Sequence, residues 1–409
     1  MTDDQAAIRR IEVGLRRVSE LDSGARLPES DPRLTSQIAE EIRANGPMPF
    51  ARFMEIALYD PEAGYYTSAG LARGPVAGPG RGADFLTAPE SHPIFGWAVA
   101  HHLESAWEAL DRPVRFVVRE HGAGSGALAA GILGGLRRAG SELLGAIRYQ
   151  ALDVAPSRLQ ALRERVDELG LADHLEPPDE TPEAGAVLAN ELLDALPVHR
   201  IEGGRDGRVL ERFVELGDGG QLQEVVAAAS TPALAERLDL EGVQLEPGQQ
   251  AEICLAIDGW IERATKLLAR GELLVIDYGY PAGDLYQPER GSTLRAYHRH
   301  RVHENPLVAI GRQDLTAHVD LTAVERAAAA AGLQPIGRSR QADFLAALGA
   351  GELLVALQSD PAIDLAAYLD ARASLVRMLD PRVTGGFAVL AFGRGIPSDR
   401  GLRGFPTTG

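Results

Sequence analysis

A Gly-rich turn and the residues beside it have the spacing of a nucleotide-type ligand site. The turn reads Glu120-His121-Gly122-Ala123-Gly124-Ser125-Gly126, between an apolar run at 114–118 and a helical pattern at 126–138. Glycines let the backbone turn sharply and approach a ligand closely, and the N-terminus of the next helix attracts an anionic group. We therefore expect Gly122, Gly124 and Gly126 to contact a ligand at the carboxyl end of a first strand.

Two acidic residues narrow the identity of that ligand. The turn also satisfies the looser dinucleotide fingerprint, so a nicotinamide cofactor is an open alternative. Glu120 precedes the first glycine by two positions, which is typical of class I S-adenosylmethionine-dependent methyltransferases, and it would repel a pyrophosphate. Asp153 ends the second apolar run, where its carboxylate can accept both ribose hydroxyls or cap the helix that begins near Pro156. S-adenosylmethionine is the favoured cofactor, with Glu120 and Asp153 among its contacts.

A third polar group follows the apolar run at 186–189. Asn190 and Glu191 come directly after it, and Asp194 lies three residues beyond Glu191. Because the carboxyl ends of parallel strands meet at one edge of a sheet, these side chains should face the same crevice as the Gly-rich turn. We predict a cofactor contact for Asn190 and catalytic roles for Glu191 and Asp194; a capping cluster is the structural alternative.

The elements around these residues predict an α/β fold. Short apolar runs alternate with amphipathic helices, which implies right-handed βαβ units and a mainly parallel, Rossmann-like sheet. The predicted strands are 114–118, 148–152, 186–189, 273–276 and 387–392, and the predicted helices are 35–59, 93–110, 126–138, 156–168, 250–269 and one that begins at Asp320.

The same pattern predicts four regions in the chain. A period-two stretch before Gly217-Asp218-Gly219-Gly220 indicates an antiparallel β-hairpin inserted in the main domain. The regions are an accessory helix (5–20) and linker within 1–34, a helical lid region at 35–110, a methyltransferase domain at 111–395 with an insertion at 198–248, and a tail at 396–409.

Composition excludes several classes of function. The 409 residues carry a net charge of −17 and show no basic stripe, which argues against nucleic acid as a partner. Cys254 is the single cysteine, so we expect a reducing compartment and neither a disulfide nor a cysteine-based metal site within one chain; we expect no bound metal of another kind either. The sequence shows neither an apolar run of about 18 residues nor a secretory signal, so the expected location is cytoplasmic, away from membranes.

Several segments together resemble one family of methyltransferases. The most specific is Asn190-Glu191-Leu192-Leu193-Asp194-Ala195-Leu196-Pro197-Val198. The others, in chain order, are Gly64-Tyr65-Tyr66, Asp84-Phe85-Leu86-Thr87-Ala88-Pro89-Glu90 with Phe95-Gly96, Ile276-Asp277-Tyr278-Gly279-Tyr280, and Asp314-Leu315-Thr316-Ala317-His318-Val319-Asp320. This order resembles the mitochondrial complex I assembly arginine methyltransferase (MidA-like) family and its bacterial members, over roughly residues 35–350.

The resemblance implies a helical region folded over the cofactor pocket and, in the eukaryotic member, methylation of an arginine of a respiratory-chain subunit. Within the matching blocks we expect Thr87 and Pro89 at the cofactor. We expect the substrate site to include Tyr65, Tyr66, Glu90, Asp277 and Tyr278. The chain departs from the family pattern at His121, at Leu192-Leu193 and over residues 1–34.

The sequence does not identify the methyl acceptor. Methyl transfer needs alignment and a suitable charge environment more than a metal, and Glu191 with Asp194 could grip an arginine guanidinium. A small-molecule oxygen or nitrogen would need one general base, for which His318 or His199 could serve. A non-catalytic assembly factor and an NAD-dependent oxidoreductase are further alternatives, and the sequence does not predict the oligomeric state.

Overall fold

The computed structural model describes residues 16–17, 27–67, 87–298, 301–397 and 400–405. The helix predicted over 5–20 lies outside these ranges, except for Arg16–Arg17, which form a short strand. Part of one matching block, 84–86, also lies outside them.

Helices and strands alternate along most of the described chain. The helices are α1 (Pro32–Asn45), α2 (Phe50–Tyr59), α3 (Ala88–Ser91), α4 (Ile94–Ala109), α5 (Ala127–Ala139), α6 (Leu143–Ala146), α7 (Pro156–Glu168), α8 (Ala233–Glu241), α9 (Ala256–Thr265), α10 (Ala282–Leu285), α11 (Leu321–Ala330), α12 (Gln341–Ala347), α13 (Ala350–Gln358) and α14 (Leu365–Leu379). Within the described ranges, none of these helices is both long and apolar enough to cross a membrane.

The strands form one large sheet and several smaller ones. They are β1 (Arg16–Arg17), β2 (Met48–Pro49), β3 (Phe116–His121), β4 (Ile147–Leu152), β5 (Glu183–Asn190), β6 (His199–Gly203), β7 (Val209–Leu216), β8 (Leu222–Ala228), β9 (Gln250–Ile253), β10 (Leu268–Asp277), β11 (Gly279–Tyr280), β12 (Arg295–His298), β13 (Arg301–His303), β14 (Asp314–Thr316), β15 (Val319–Asp320), β16 (Gln334–Arg340) and β17 (Ala388–Arg394).

The central sheet has six strands in the order β16-β17-β10-β5-β3-β4. Strands β4, β3, β5 and β10 are parallel, and β17 pairs antiparallel with both β10 and β16. Apolar side chains of β3, β5 and β10 are buried in two clusters that also contain α4, α5, α9 and α11. Burial on both faces explains why β5 and β10 contain long apolar runs. The predicted α/β sheet is confirmed; β3 begins two residues later than predicted, and Val114 is 94% exposed.

The order of the strands opens a crevice at one edge of this sheet. The chain passes from β3 to β4 on one side and later returns to β5 on the other side of β3. Crossover connections that leave in opposite directions separate the carboxyl ends of β3 and β5, and ligands bind at such a switch point. The Gly-rich turn follows β3, and the segment with Glu191 and Asp194 follows β5.

The insertion is larger than the single hairpin predicted. Strands β7 and β8 form that hairpin around the turn at 217–220, but β6 and then β2 pair with the free edge of β7, and β9 pairs with β6. The prediction of one helix over 250–269 is wrong in its first part, because 250–253 is strand β9. Pairing with β6 decided this strand, whereas α9 occupies only Ala256–Thr265.

The predicted helix over 35–59 is two helices. Gly46, with a backbone φ of 85°, ends α1, and Pro47 and strand β2 separate it from α2. Glycine readily adopts positive φ at the end of a helix, so the break follows from the sequence. Helix α2 packs against β6, β7 and β14, and Tyr59 at its end reaches the crevice.

Candidate active site

A cavity of about 400 Å³ lies in the crevice between the carboxyl ends of β3, β4 and β5 and the lid region. Ten of the sixteen predicted site residues line it. These are Tyr66, Thr87, Pro89, Glu90, Glu120, Gly122, Gly124, Asp153, Asn190 and Glu191. Their roles in binding and catalysis stay predictions, but the fold brings them to one place from segments that are far apart in the sequence.

The Gly-rich turn requires glycine for conformational and steric reasons. Gly122, Gly124 and Gly126 all have positive φ, at 69°, 54° and 80°. A Cβ atom on Gly126 would lie 2.5 Å from Cγ of Leu162, and one on Gly122 would lie 2.9 Å from Cδ1 of Leu192. Gly126 stands outside the cavity wall, so its contribution is to let α5 approach α7 closely while the first two glycines face the cavity.

Asp153 connects β4 to this turn. Its Oδ2 accepts a hydrogen bond from the Gly124 amide at 2.9 Å, and its Oδ1 accepts one from the Ala155 amide at 2.9 Å. Each carboxylate oxygen can accept a second hydrogen bond, so the side chain can organise the turn and also receive ribose hydroxyls. The helix-cap alternative is wrong, because Ala155 is the N-cap of α7 and no side chain caps that helix; the ribose contact stays a prediction.

Glu120 lies beneath the cavity and is 4% exposed. The Tyr149 hydroxyl donates a hydrogen bond to its Oε2 at 2.7 Å. Burial raises the pKa of Glu120 to about 8, despite the opposing effect of this hydrogen bond. A cation placed in the cavity would favour the ionised form and lower that pKa.

Glu191 has an unusual backbone conformation at the end of β5. Its φ is 50°, in the left-handed region, and its amide donates to the Ile276 carbonyl at 2.8 Å. Its Oε1 accepts hydrogen bonds from the Asn190 side-chain amide at 3.2 Å and from the Ala88 amide of α3 at 3.4 Å. Burial, followed by the charge of Asp194, raises the pKa of Glu191 to about 8.

Asp194 lies behind the cavity wall. The Tyr278 hydroxyl donates to its Oδ2, whereas its Oδ1 has no hydrogen-bond partner among the described residues. Burial raises the pKa of Asp194 to about 6. Asp194 therefore lies close to the site with one carboxylate oxygen free to accept a further donor.

Six predicted site residues lie outside the cavity wall: Gly126, Tyr65, Asp194, Asp277, Tyr278 and His318. The His318 ring packs against Tyr278 and Tyr280, and burial lowers its pKa to about 3. His199 instead contacts Glu211 at 2.7 Å on the inserted sheet. Catalysis by His318 stays a prediction, without a direct contact with the cavity to support it.

Lid residues connect the cavity wall to the rest of the chain. The Tyr66 hydroxyl donates to Asp314 Oδ1 at 2.6 Å, and the Tyr59 hydroxyl donates to the Ala195 carbonyl at 2.9 Å. Glu90 accepts from Ser125 in the Gly-rich turn. These contacts hold the lid against both sides of the crevice.

Sequence reasoning missed three large side chains in the wall, Tyr59, Arg158 and Trp260. The Arg158 guanidinium lies 5.3 Å from the centre of the Tyr66 ring. Tyr59 ends α2 just before Asp60, which was a weak signal of an exposed helix end. Arg158 and Trp260 lie within helical patterns and carry no distinguishing signal in the sequence.

The cavity suits an S-adenosylmethionine molecule. Asp153 faces it with carboxylate oxygens for a ribose, and Asn190 Oδ1 is buried without a hydrogen-bond partner among the described residues. Glu120 adds a buried carboxyl group, which the positive charge of the cofactor would compensate. A pyrophosphate would instead place negative charge beside it.

Comparisons with known proteins agree with this chemistry. Residues 98–339 match the model of an S-adenosyl-L-methionine-dependent methyltransferase family. The mitochondrial protein arginine methyltransferase NDUFAF7 of Homo sapiens is 29% identical over 76% of this chain and 71% of its own length, and its Drosophila melanogaster homolog is 28% identical over 80% and 78%. A crystal structure of a Burkholderia thailandensis protein bound to S-adenosyl-homocysteine is 32% identical, with a TM-score of 0.83 over 93% of this chain and 98% of that one. The chain therefore belongs to this family of S-adenosylmethionine-dependent methyltransferases, which confirms the predicted enzyme class and cofactor.

Proposed function

We propose that this methyltransferase modifies an arginine side chain of a protein. The observation that carries the proposal is the pair of carboxyl groups on the segment after β5. In the part of the chain that the structure describes, neither Glu191 nor Asp194 forms an ion pair, although Asp194 is buried and Glu191 is half-buried. Burying carboxyl groups without a cation raises their pKa and disfavours the charged form, so a cationic partner would bind here with a large electrostatic gain.

A guanidinium fits this pair better than an ammonium ion does. It is planar and presents five N–H donors in a fixed fork, which two carboxylates on neighbouring positions can hold in one orientation. Glu191 lines the cavity, and the unpartnered oxygen of Asp194 lies just behind it. The names of the curated relatives, which are protein arginine methyltransferases, support the same acceptor.

The reaction then needs alignment and the removal of one proton. The cofactor supplies an electrophilic methyl group on a sulfonium sulfur. A guanidinium nitrogen forms the bond to the methyl carbon, and the carbon–sulfur bond breaks with its electron pair remaining on sulfur. The nitrogen loses one proton, for which the Glu191 carboxylate is our proposed acceptor because its pKa, raised to about 8, lies near the working pH.

The charge of the whole chain favours such a substrate. A net charge of −17 attracts basic segments and increases their rate of encounter at low ionic strength.

We further propose that the protein acts in the cytoplasm. The human and Drosophila melanogaster relatives are mitochondrial, so this location is a proposal for this chain alone.

The acceptor can be identified by labelled-methyl transfer. Purified enzyme and S-adenosylmethionine with a tritiated methyl group would be incubated with lysate proteins of the source organism, and excess S-adenosylhomocysteine would provide the blank. We expect label that stays with protein and, after acid hydrolysis, elutes as methylated arginine. Label in a dialysable small molecule, or in another amino acid, would contradict the proposal.

A further inference from the structure

The Asp277 carboxylate, at the carboxyl end of β10, contacts the backbone that carries the two acceptor-side carboxyl groups. Its Oδ2 accepts hydrogen bonds from three consecutive amides, those of Leu192 at 3.1 Å, Leu193 at 2.8 Å and Asp194 at 3.3 Å. Its Oδ1 accepts from the Tyr278 amide at 2.8 Å. Four N–H donors surround a side chain that is 1% exposed and outside the cavity wall, so its oxygens are directed at the chain itself.

The two neighbours of Asp277 contact the same segment. The Ile276 carbonyl accepts the Glu191 amide at 2.8 Å, and the Tyr278 hydroxyl donates to Asp194 Oδ2. Three consecutive residues of one strand end therefore bind the backbone of Glu191, the amides that follow it and the side chain of Asp194. Because Glu191 has a φ of 50°, a left-handed conformation that is strained for a non-glycine residue, its conformation needs such support.

We propose that Asp277 is a positioning residue for methyl transfer: its carboxylate holds the backbone at 192–194, which fixes Glu191 in the cavity wall and Asp194 behind it. This role replaces the substrate contact that the sequence led us to expect. The inference rests on the proposed roles of Glu191 and Asp194. The inference adds that the geometry of these two residues depends on Asp277, which lies 85 positions after Leu192 in the chain.

A structural cap elsewhere in the fold supplies the control. Asp320 is also buried, at 5% exposure, and its Oδ1 accepts the Ala323 amide at the start of α11. Among the described residues, its side chain forms no hydrogen bond with 190–195. Asp320→Asn therefore removes a buried charge from a backbone cap without touching the acceptor-side segment.

The test compares Asp277→Asn with Asp320→Asn. Label transfer from S-adenosylmethionine into lysate protein would be measured over a range of lysate concentrations. The affinity of each variant for S-adenosylhomocysteine would be measured by calorimetry, and its Tm would be measured in parallel. For Asp277→Asn we expect kcat to fall about 100-fold, because a misplacement near 1 Å has that effect. The apparent KM and the cofactor Kd should stay within about threefold. For Asp320→Asn we expect a lower Tm with kcat unchanged.

The proposal would be overturned if folded Asp277→Asn had the native kcat. It would also be overturned if the loss of kcat were no larger than the fraction of the variant that is unfolded. If Asp277→Asn does not fold, Tyr278→Phe tests the same strand end by removing only the hydroxyl that holds Asp194, with an expected tenfold loss of kcat. Full activity in Tyr278→Phe would then count against the proposal. An acceptor other than arginine would change which residue carries label but not these kcat ratios, so the two proposals can fail separately.

Discussion

The two sides of the cavity hold their backbones in different ways. On the β3 side, positive φ falls on glycines, which adopt it without a steric cost. On the β5 side, positive φ falls on Glu191, and the hydrogen bonds that oppose the resulting strain come from Ile276 and Asp277 of β10. The first side is built from local sequence, and the second from contacts between distant segments.

This difference suggests that the β3 side binds the cofactor and that the β5 side acts in methyl transfer. The turn at Gly122 and Gly124, with Asp153, forms a stable surface that suits a cofactor common to many acceptors. The segment with Glu191 carries carboxyl groups in a strained backbone, and such strain is concentrated at functional sites. We therefore expect substitutions on the β3 side to weaken cofactor binding, and substitutions on the β5 side to slow transfer.

The largest effect should come from Glu191→Gln. The amide keeps the shape of the side chain but can neither carry negative charge nor accept the proton, so we expect transfer to fall about 1,000-fold. Calorimetry should show S-adenosylhomocysteine affinity within threefold of the native value. Glu183→Gln, at the opposite end of β5, is the matched control. It breaks only a part-exposed ion pair with Arg115, and its activity should be native. If Glu191→Gln and Glu183→Gln were equally active, the β5 side of the cavity would have no special role in transfer, and the contrast with the β3 side would be wrong.

A smaller effect is expected from Asp153→Ala. The variant loses the bond to the Gly124 amide and the predicted ribose acceptor, and each hydrogen bond to a charged group contributes about 1.5–3 kcal/mol. We expect the S-adenosylhomocysteine Kd to rise about 30-fold, as measured by calorimetry. Asp167→Asn, an exposed position on α7, should leave it unchanged. A native Kd in Asp153→Ala would show that the ribose lies elsewhere.

The smallest effect is the pH dependence. Because burial raises the pKa of Glu191 to about 8, its carboxylate is ionised only above that pH until a cation binds and lowers the pKa. With cofactor saturating, kcat/KM for the acceptor reports the enzyme before the acceptor binds, so it should rise up to about tenfold per pH unit below a midpoint near 8 and then level off. A flat profile between pH 6 and 8 would exclude Glu191 as the group that titrates.

The same contrast explains what the sequence could predict. Gly122, Gly124 and Asp153 were identified because strand ends and turns follow from local periodicity and residue type. The roles of Asp277 and Tyr59 could not be derived, since they depend on which strand lies beside β5 and on how α2 crosses the crevice. Strand β9 was mistaken for helix for the same reason, because its partner β6 is about 50 residues away.

The most direct test of this difference between the two sides is the transfer rate as a function of S-adenosylmethionine concentration for two variants in one preparation. If Asp153 serves the cofactor side alone, Asp153→Ala should reach the native maximal rate once the cofactor is saturating. Glu191→Gln should stay near 1,000-fold below it at every concentration, because its defect follows cofactor binding. A low plateau for Asp153→Ala, or recovery of Glu191→Gln at high cofactor, would contradict the account.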